Sequence, residues 1–345
     1  MSAGSGTGDW TYPGAYEAAP GVHRIPLPLP NDGLRAVNVY AIEDGDRLVL
    51  VDSGWNVPEA GKVLADGLAG IGAGVPDIER VLVTHVHRDH YTHAIELRRQ
   101  TGVAVHLGRG EQPALERIRA PHRRDFEPQL HQLRRCGADE IIEELASAFG
   151  SVEHDRSIWE LPDGWIEPGP IPLASGRRLD AIETPGHTVG HVVFRDDAGG
   201  LLFAGDHVLP TITPSIGFEP VPSPNPLGDF LASLAKVRSL PDSALLPAHG
   251  PVTDSVHARI DELVEHHGRR LDETEQAVAA GAVTGFEVAQ RLQWTRRRRR
   301  FADMDLFNRM LATTETLAHL ELLAAQGRVA CGVVDGVCHY TLGAG

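Results

Sequence analysis

The heptapeptide Thr84-His85-Val86-His87-Arg88-Asp89-His90 decides how this chain is read. It continues the apolar run Val81-Leu82-Val83 and sets three imidazoles and a carboxylate within six residues. Burying so many polar side chains is costly unless something compensates their lone pairs, and a metal ion does so. Alternation at the end of a strand can point His85 and His87 at one ion. The turn that follows then brings Asp89 and His90 near a second position. An isolated His-x-His is more often two ordinary histidines than a ligand pair, so the rest of the chain decides. Three further apolar runs stop at residues that bind metal: LDAIETPGH at His187, LLFAGD at Asp206 and ALLPAH at His249. Strands buried on both faces read as such unbroken runs, and open sheets place their sites at strand ends. Four ends of this kind predict one shared edge, with seven ligands for two ions and a carboxylate, Asp206, able to bridge them.

This set resembles the metallo-β-lactamase superfamily, which carries a His-x-His-x-Asp-His motif followed by single His, Asp and His ligands. The likeness covers residues 22–255 and implies an α+β fold, an αββα sandwich. It further implies that His85, His87 and His187 hold a first metal, that Asp89, His90 and His249 hold a second, and that Asp206 bridges. Asp52, in VLVDSGW, matches the family's early Asp, similar to a buried support for the metal-binding loop; alone it would read as a turn residue. With no cysteine ligand, the set is similar to the branch containing glyoxalase II and lactonases. Two divalent ions are implied, zinc first, with iron or manganese accepted by similar ligands. A water bridging two such ions has its pKa lowered from about 15.7 towards about 7, giving a hydroxide nucleophile without a separate base. Asp89 and Asp206 are the carboxylates expected to take part in catalysis.

Around this set, His191 resembles a family position and is read as orienting a ligand. His207, directly after Asp206, is a candidate to face the substrate, with plain packing equally weighted. Tyr91 and His93 are candidates to narrow the pocket or donate to an oxyanion, with helix-face packing the favoured reading. His106 is a weaker candidate still.

The 345 residues are 42% hydrophobic and 23% charged, and the formal net charge is −15. That composition is globular, and the acidic balance argues against a protein that coats nucleic acid through overall charge. Only Cys136, Cys331 and Cys338 occur, without Cys-x-x-Cys spacing, so neither a disulfide framework nor a cysteine zinc knuckle is expected. Metal chemistry among the eighteen histidines therefore uses imidazole and carboxylate. The start lacks a signal-peptide pattern and no apolar run is long enough to span a bilayer, so a cytoplasmic protein without membrane contact is expected.

Residues 1–21 are expected to be a flexible start and residues 22–255 a catalytic domain. Within it, residues 37–52 read as a hairpin, and residues 109–163 as a helical insertion that either caps the sheet edge as a lid or only packs. Residues 256–345 read as a linker helix and a winged-helix-like domain, closing in a hairpin at Asp335-Gly336. That tail is similar to the extension of a lactamase-like branch that includes an RNA-cleaving enzyme. Arg296, Arg297, Arg298, Arg299 and Arg300 form the one basic run, a candidate for phosphate contact or a solvated loop. The expected function is a dinuclear hydrolase using a metal-bridging hydroxide on a small ester-like bond, a thioester or lactone. The alternatives are a phosphodiesterase or ribonuclease and a mononuclear iron enzyme resembling persulfide dioxygenases. Expected partners are a small-molecule substrate, nucleic acid only through the arginine run, and a second copy in a homodimer.

Overall fold

A computed structural model of the chain describes residues 9–30, 33–120, 126–149, 156–295 and 297–343. Seven strands form a first sheet in sequence order: β1 (Tyr16–Ala19), β2 (Val22–Pro28), β3 (Ala36–Asp44), β4 (Arg47–Val51), β5 (Ile78–Val83), β6 (Ala104–Gly108) and β7 (Gly164–Ile166). The β3–β4 pair is the predicted hairpin, closing at Asp44 and Arg47 with Gly45 at φ 71°. From β4 onward the strands run parallel, which requires crossovers. Helices α1 (Pro58–Gly70) and α2 (Arg88–Thr101) supply the first two, and α3 (Gln112–Arg119), α4 (Glu127–Cys136) and α5 (Asp139–Phe149) fall in the third.

The second sheet has the order β12-β11-β10-β9-β8, made of β8 (Gly169–Pro172), β9 (Arg178–Glu183), β10 (Val192–Asp196), β11 (Leu201–Gly205) and β12 (Ala244–Pro247). Its β11 and β12 are parallel across helix α6 (Pro226–Arg238). Between the sheets lies a core that includes Tyr40, Val49, Leu82, Phe194, Phe203 and Leu246, with Tyr40 and Phe203 edge-on at 5.4 Å. A second core joins the first sheet to α1, α2 and α3 through Leu64, Tyr91, Ile95 and Leu115. The result is the expected four-layer αββα sandwich. One expectation is refined: β5 belongs to the first sheet while β9, β11 and β12 belong to the second, so the four strand ends meet where two stacked sheets share an end.

After this come α7 (Val256–Ala279), α8 (Gly285–Arg291), the short pair β13 (Gln293–Trp294) and β14 (Arg299–Arg300), α9 (Leu306–Ala325), and the hairpin β15 (Val329–Val334) and β16 (Val337–Leu342). Ser255 caps α7 by accepting from the Ala258 N–H, and Thr284 with Glu287 forms a capping box on α8. The Asp335-Gly336 turn is as predicted, with both residues at positive φ.

The inserted helices α4 and α5 bury Leu133, Cys136, Ile141 and Leu145 in the same core as Leu317, Leu320 and Tyr340. Of the two readings, the packed layer is the one this core supports, since a lid that swings must leave such contacts. The start also differs from expectation. From Asp9 it is ordered, and β1 pairs with β2 because Gly21, at φ 69°, allows the tight reversal between them. Of the expected flexible start, residues 1–8 lie outside the described residues, as do residues 121–125 and 150–155 of the insertion and Arg296 of the arginine run.

Candidate metal centre

Each candidate ligand sits just past a strand. Beyond β5 the chain leaves the sheet at Thr84, where Asp52, at the end of β4 and at φ 60°, receives it. The Asp52 carboxylate accepts from the Thr84 N–H at 2.8 Å and from its hydroxyl at 3.0 Å. His87 ends the loop, and α2 then presents Asp89 and His90 from its first turn, where the helix dipole favours a carboxylate. Gly186, at φ 139°, lets the loop after β9 lie on α6; a Cβ there would be 2.4 Å from Phe230 Cα. Gly205 plays the same part before Asp206, since a Cβ would stand 2.6 Å from His191 Nε2. After β12, the Asn38 carboxamide donates to the Pro247 and Gly250 carbonyls at 2.9 Å, fixing the turn that carries His249.

Seven ligand atoms converge in three overlapping groups: His85, His87 and His187; His85, His90 and Asp206; and Asp89, His90 and His249. His85 Nε2 and His187 Nε2 lie 3.0 and 3.1 Å from His87 Nδ1. The Asp206 carboxylate is divided, with Oδ2 3.5 Å from His187 Nε2 and Oδ1 3.4 Å from His249 Nε2. His249 Nε2 also stands 3.4 Å from Asp89 Oδ2.

The outer nitrogens settle which atom of each ring faces inward. His187 Nδ1 donates to the Ser215 carbonyl and His249 Nδ1 to the Ala36 carbonyl, both at 2.8 Å. His90 Nδ1 donates to Asp52 Oδ2 at 2.9 Å. The Thr84 hydroxyl is spent on Asp52, so its oxygen accepts from His85 Nδ1 at 3.0 Å. With the proton outside in all four rings, four bare Nε2 atoms point at one another and at two carboxylates. His90 Nε2, His249 Nε2 and Asp206 Oδ1 are buried without a hydrogen-bond donor. A buried cluster made only of acceptors is stable around cations and not otherwise. The charge balance agrees. Burial lowers His90, but Asp89, Asp52 and Asp206 outweigh it and push the ring up to about 10, so the carboxylates around Nε2 favour a positive charge there, which a cation supplies in place of a proton. Burial and the neighbouring His187 take His87 down to about 3, leaving it neutral and free to ligate.

A family model described as "Metallo-beta-lactamase superfamily" matches residues 32–249, more than half of the chain. The chain belongs to this superfamily. Across 320 residues it is 26% identical to the "Probable metallo-hydrolase YqjP" of Bacillus subtilis strain 168, covering 88% of this chain and 91% of that protein. It is 24% identical over 244 residues to an "Atrochrysone carboxyl ACP thioesterase" of Aspergillus fumigatus, covering 70% of this chain and 44% of that protein. Among solved structures, a "Beta-lactamase domain protein" from Burkholderia ambifaria superimposes with a TM-score of 0.80 at 25% identity, covering 98% of this chain and 96% of that one. The protein is thus a hydrolase of the metallo-β-lactamase superfamily, a group that works with divalent metals, and its own His and Asp residues suit them.

Within this metallo-β-lactamase fold the other sequence candidates separate. His191 stands directly behind the ligands: its Nδ1 donates to the Thr184 hydroxyl at 2.8 Å and its Nε2 accepts the Asp206 N–H at 3.1 Å. Tyr91, read as a possible substrate contact, is instead fully buried, and its hydroxyl donates to the Glu160 carbonyl at 2.7 Å. The turn of α2 that aims His90 inward aims Tyr91 into the helix layer. His207 is likewise buried, edge-on to Phe230 of α6 at 5.3 Å. His93 Nδ1 donates to the Ser53 carbonyl at 2.8 Å, which ties α2 to the Asp52 turn. His106 is half-buried on β6 and packs on Gly164.

Two residues escaped the sequence reading. Glu111 and Glu219 are buried on either side of the loop that follows His187. Glu111 accepts from the Thr188 hydroxyl, and Glu219 accepts from the Val189 N–H at 2.8 Å. Burial pushes Glu111 up to about 7 against those hydrogen bonds, and raises Glu219 as well, helped by Glu111. Single acids in GRGEQP and GFEP carry no sequence signal that separates them from surface carboxylates.

Proposed function

We propose that this hydrolase holds two divalent ions, zinc in the first place, and cleaves an ester-like acyl bond in a thioester or lactone. The observation that carries the reading is the divided carboxylate of Asp206, one oxygen toward His187 and the other toward His90 and His249 at 3.7 and 3.4 Å. His85, His87 and His187 would hold one ion, and Asp89, His90 and His249 the other. When bound, such ions bring a water to the acidity of neutral pH and polarise a carbonyl oxygen. The chain's own part is orientation. Asp52, Thr84, Ser215 and Ala36 keep the ring protons outside, His191 holds the Asp206 backbone, and Glu111 with Glu219 fixes the loop behind His187. His87 and Asp89, half-buried where their neighbours are buried, mark the side open to substrate.

The likeness to a protein named as an acyl-carrier thioesterase supports an acyl substrate. We further read α8, α9 and the β15–β16 hairpin as a winged-helix-like module, on their order of helix, helix and hairpin. A cytoplasmic location is the companion reading; among the described residues no helix is long and apolar enough to cross a membrane. Elemental analysis of the purified protein, with a hydrolysis screen over thioesters, lactones, β-lactams and phosphodiesters, tests the proposal. Two ions per chain and turnover of a thioester or lactone are expected. Turnover confined to phosphodiesters, or one iron with persulfide-dependent oxygen uptake, would replace it.

A further inference from the structure

Many arginines of this acidic protein are matched with acids. Arg98 pairs with Glu160, Arg135 with Glu321, Arg238 with Asp261, Arg309 with Glu144 and Arg328 with Glu275. Arg297, Arg298, Arg299 and Arg300 differ: all four are exposed, and among the described residues none forms an ion pair. They sit on the small β13–β14 ribbon, whose Trp294 is buried against Arg270, the guanidinium 4.0 Å from the ring centroid. Thr295 and Arg298 both take positive φ, and Arg298 Nε is held by the Gln293 carboxamide, so the ribbon has a defined shape.

Beside this ribbon lies a cavity of about 450 Å³ between α5, α8 and the start of α9. Leu292, Phe301 and Ala302 give it an apolar wall, and Arg291, Arg300 and Arg309 stand around it. Among the described residues two of these guanidiniums have no carboxylate: Arg291 donates to the Ala277 and Ala280 carbonyls at 3.1 and 3.0 Å, and Arg300 forms no ion pair. Arg309 keeps a buried Nε without an acceptor although Glu144 takes its other nitrogens. Arg291 and Arg300, two like charges facing one space without a carboxylate of their own, repel one another, and an anion in that space removes the conflict. A guanidinium fork matches the oxygens of phosphate two at a time. The volume falls in the range of small-ligand pockets, which run from about 300 to about 1,000 Å³.

We propose that this cavity binds a nucleoside phosphate, its phosphates on Arg291 and Arg300 and its planar base along the wall of Leu292, Phe301 and Ala302. The ligand is compact because the basic surface ends quickly: Glu140 lines the cavity, Glu144 pairs with its Arg309, Asp303 follows Ala302 in the chain, and the chain as a whole carries −15. A nucleic acid strand would run from the arginines onto these acids. Nor does the ribbon offer a row of exposed rings on which successive bases of a strand could stack, since Trp294 is buried. The site is separate from the metal centre, and the inference stands whether or not the substrate there is an acyl compound.

The test is calorimetric titration of the metal-loaded full chain with ADP, adenosine and inorganic phosphate. ADP is expected to bind, and adenosine and phosphate each to bind at least about tenfold more weakly, because each fills half of the site. Arg300→Ala is expected to weaken ADP at least about tenfold while leaving the hydrolytic rate unchanged. Ala302→Trp fills the cavity without touching the arginines and should cost as much affinity, which keeps the test decisive if the arginine variant folds poorly. No binding of ADP up to about 1 mM overturns the proposal. So does an ADP affinity that both variants leave untouched, which would put the nucleotide elsewhere. An oligonucleotide that binds more tightly than ADP, with a steep loss of affinity in salt, would also overturn it in favour of a strand-binding surface.

Discussion

Two groups of buried histidines lie in this chain, one at the metal centre and one beneath the C-terminal helices. His85, His90, His187 and His249 make the first; His267 and His319 make the second, with His207 across Phe230, and all are essentially without solvent exposure. The same residue type at the same depth behaves in opposite ways. In the second group, His319 Nδ1 donates to the Glu315 carbonyl at 2.8 Å and its Nε2 meets His267 Nδ1 at 3.3 Å, so the donor of one ring answers the acceptor of the next. Burial takes His319 down to about 3, Arg270 adds to the effect, and both rings stay neutral. At the metal centre the ring protons of these four face outward, and two carboxylates, Asp89 and Asp206, look in. Burial alone therefore does not make a metal site. What does is acceptors converging on one another with acids among them.

Four substitutions probe that contrast, from the largest effect to the smallest. Asp206→Ala removes the carboxylate that faces both halves of the centre, and activity should fall by about three orders of magnitude with loss of bound metal. A variant that kept metal and rate would erase the distinction between the two groups. Asp52→Asn leaves every direct ligand in place but turns the partner of His90 Nδ1 from acceptor to donor. Metal affinity should drop about 10- to 100-fold, read by competition with a chelator. In the second group, His319→Leu leaves His267 unpartnered and should cost about 1–3 kcal/mol of stability in urea unfolding, while the double change with His267→Leu costs less. Metal content and turnover should be unchanged in both, and a loss of metal would show that the groups are not independent.

The smallest effect concerns the buried carboxyl behind His187. The folded-state pKa of Glu111 is raised from its ordinary 4.5 to about 7, first by burial. The folded protein thus keeps a proton that the unfolded chain releases between those values. Its contribution is fully present below about 4.5 and is lost as pH rises through about 7. Glu111→Gln should flatten that part of the stability profile by about 1–3 kcal/mol, seen as melting temperatures compared at about pH 5 and about pH 8. An unchanged profile would mean that Glu111 titrates as a surface acid does.

Much of the site was legible because its residues are punctuation in apolar runs. His85, His187, Asp206 and His249 each end a strand, and strand ends are what periodicity locates best. Tyr91 and His207 stand one residue from a ligand, and nothing local says which way a neighbouring side chain turns; helix pitch and the packing of α6 decide. Glu111 and Glu219 come from polar stretches far apart in the chain. They matter only because the turn at Glu111 presses on the His187 loop so closely that a Cβ on Gly190 would lie 2.1 Å from the Glu111 nitrogen. The start misled in the other direction: a Gly- and Ala-rich segment reads as loose, yet an edge strand needs only a neighbour with free backbone groups, and β2 provides it.

By itself the sequence determined the ligand types, their order and their strand-end positions, along with the superfamily they imply. These follow from local hydrophobic pattern and from the chemistry of imidazole and carboxylate. Only the tertiary structure decided which nitrogen of each ring looks inward. That choice rests on acceptors at Ser215, Ala36 and Asp52, up to 213 residues away in the chain. Two of the three are backbone carbonyls, which every residue has and no side-chain pattern can announce.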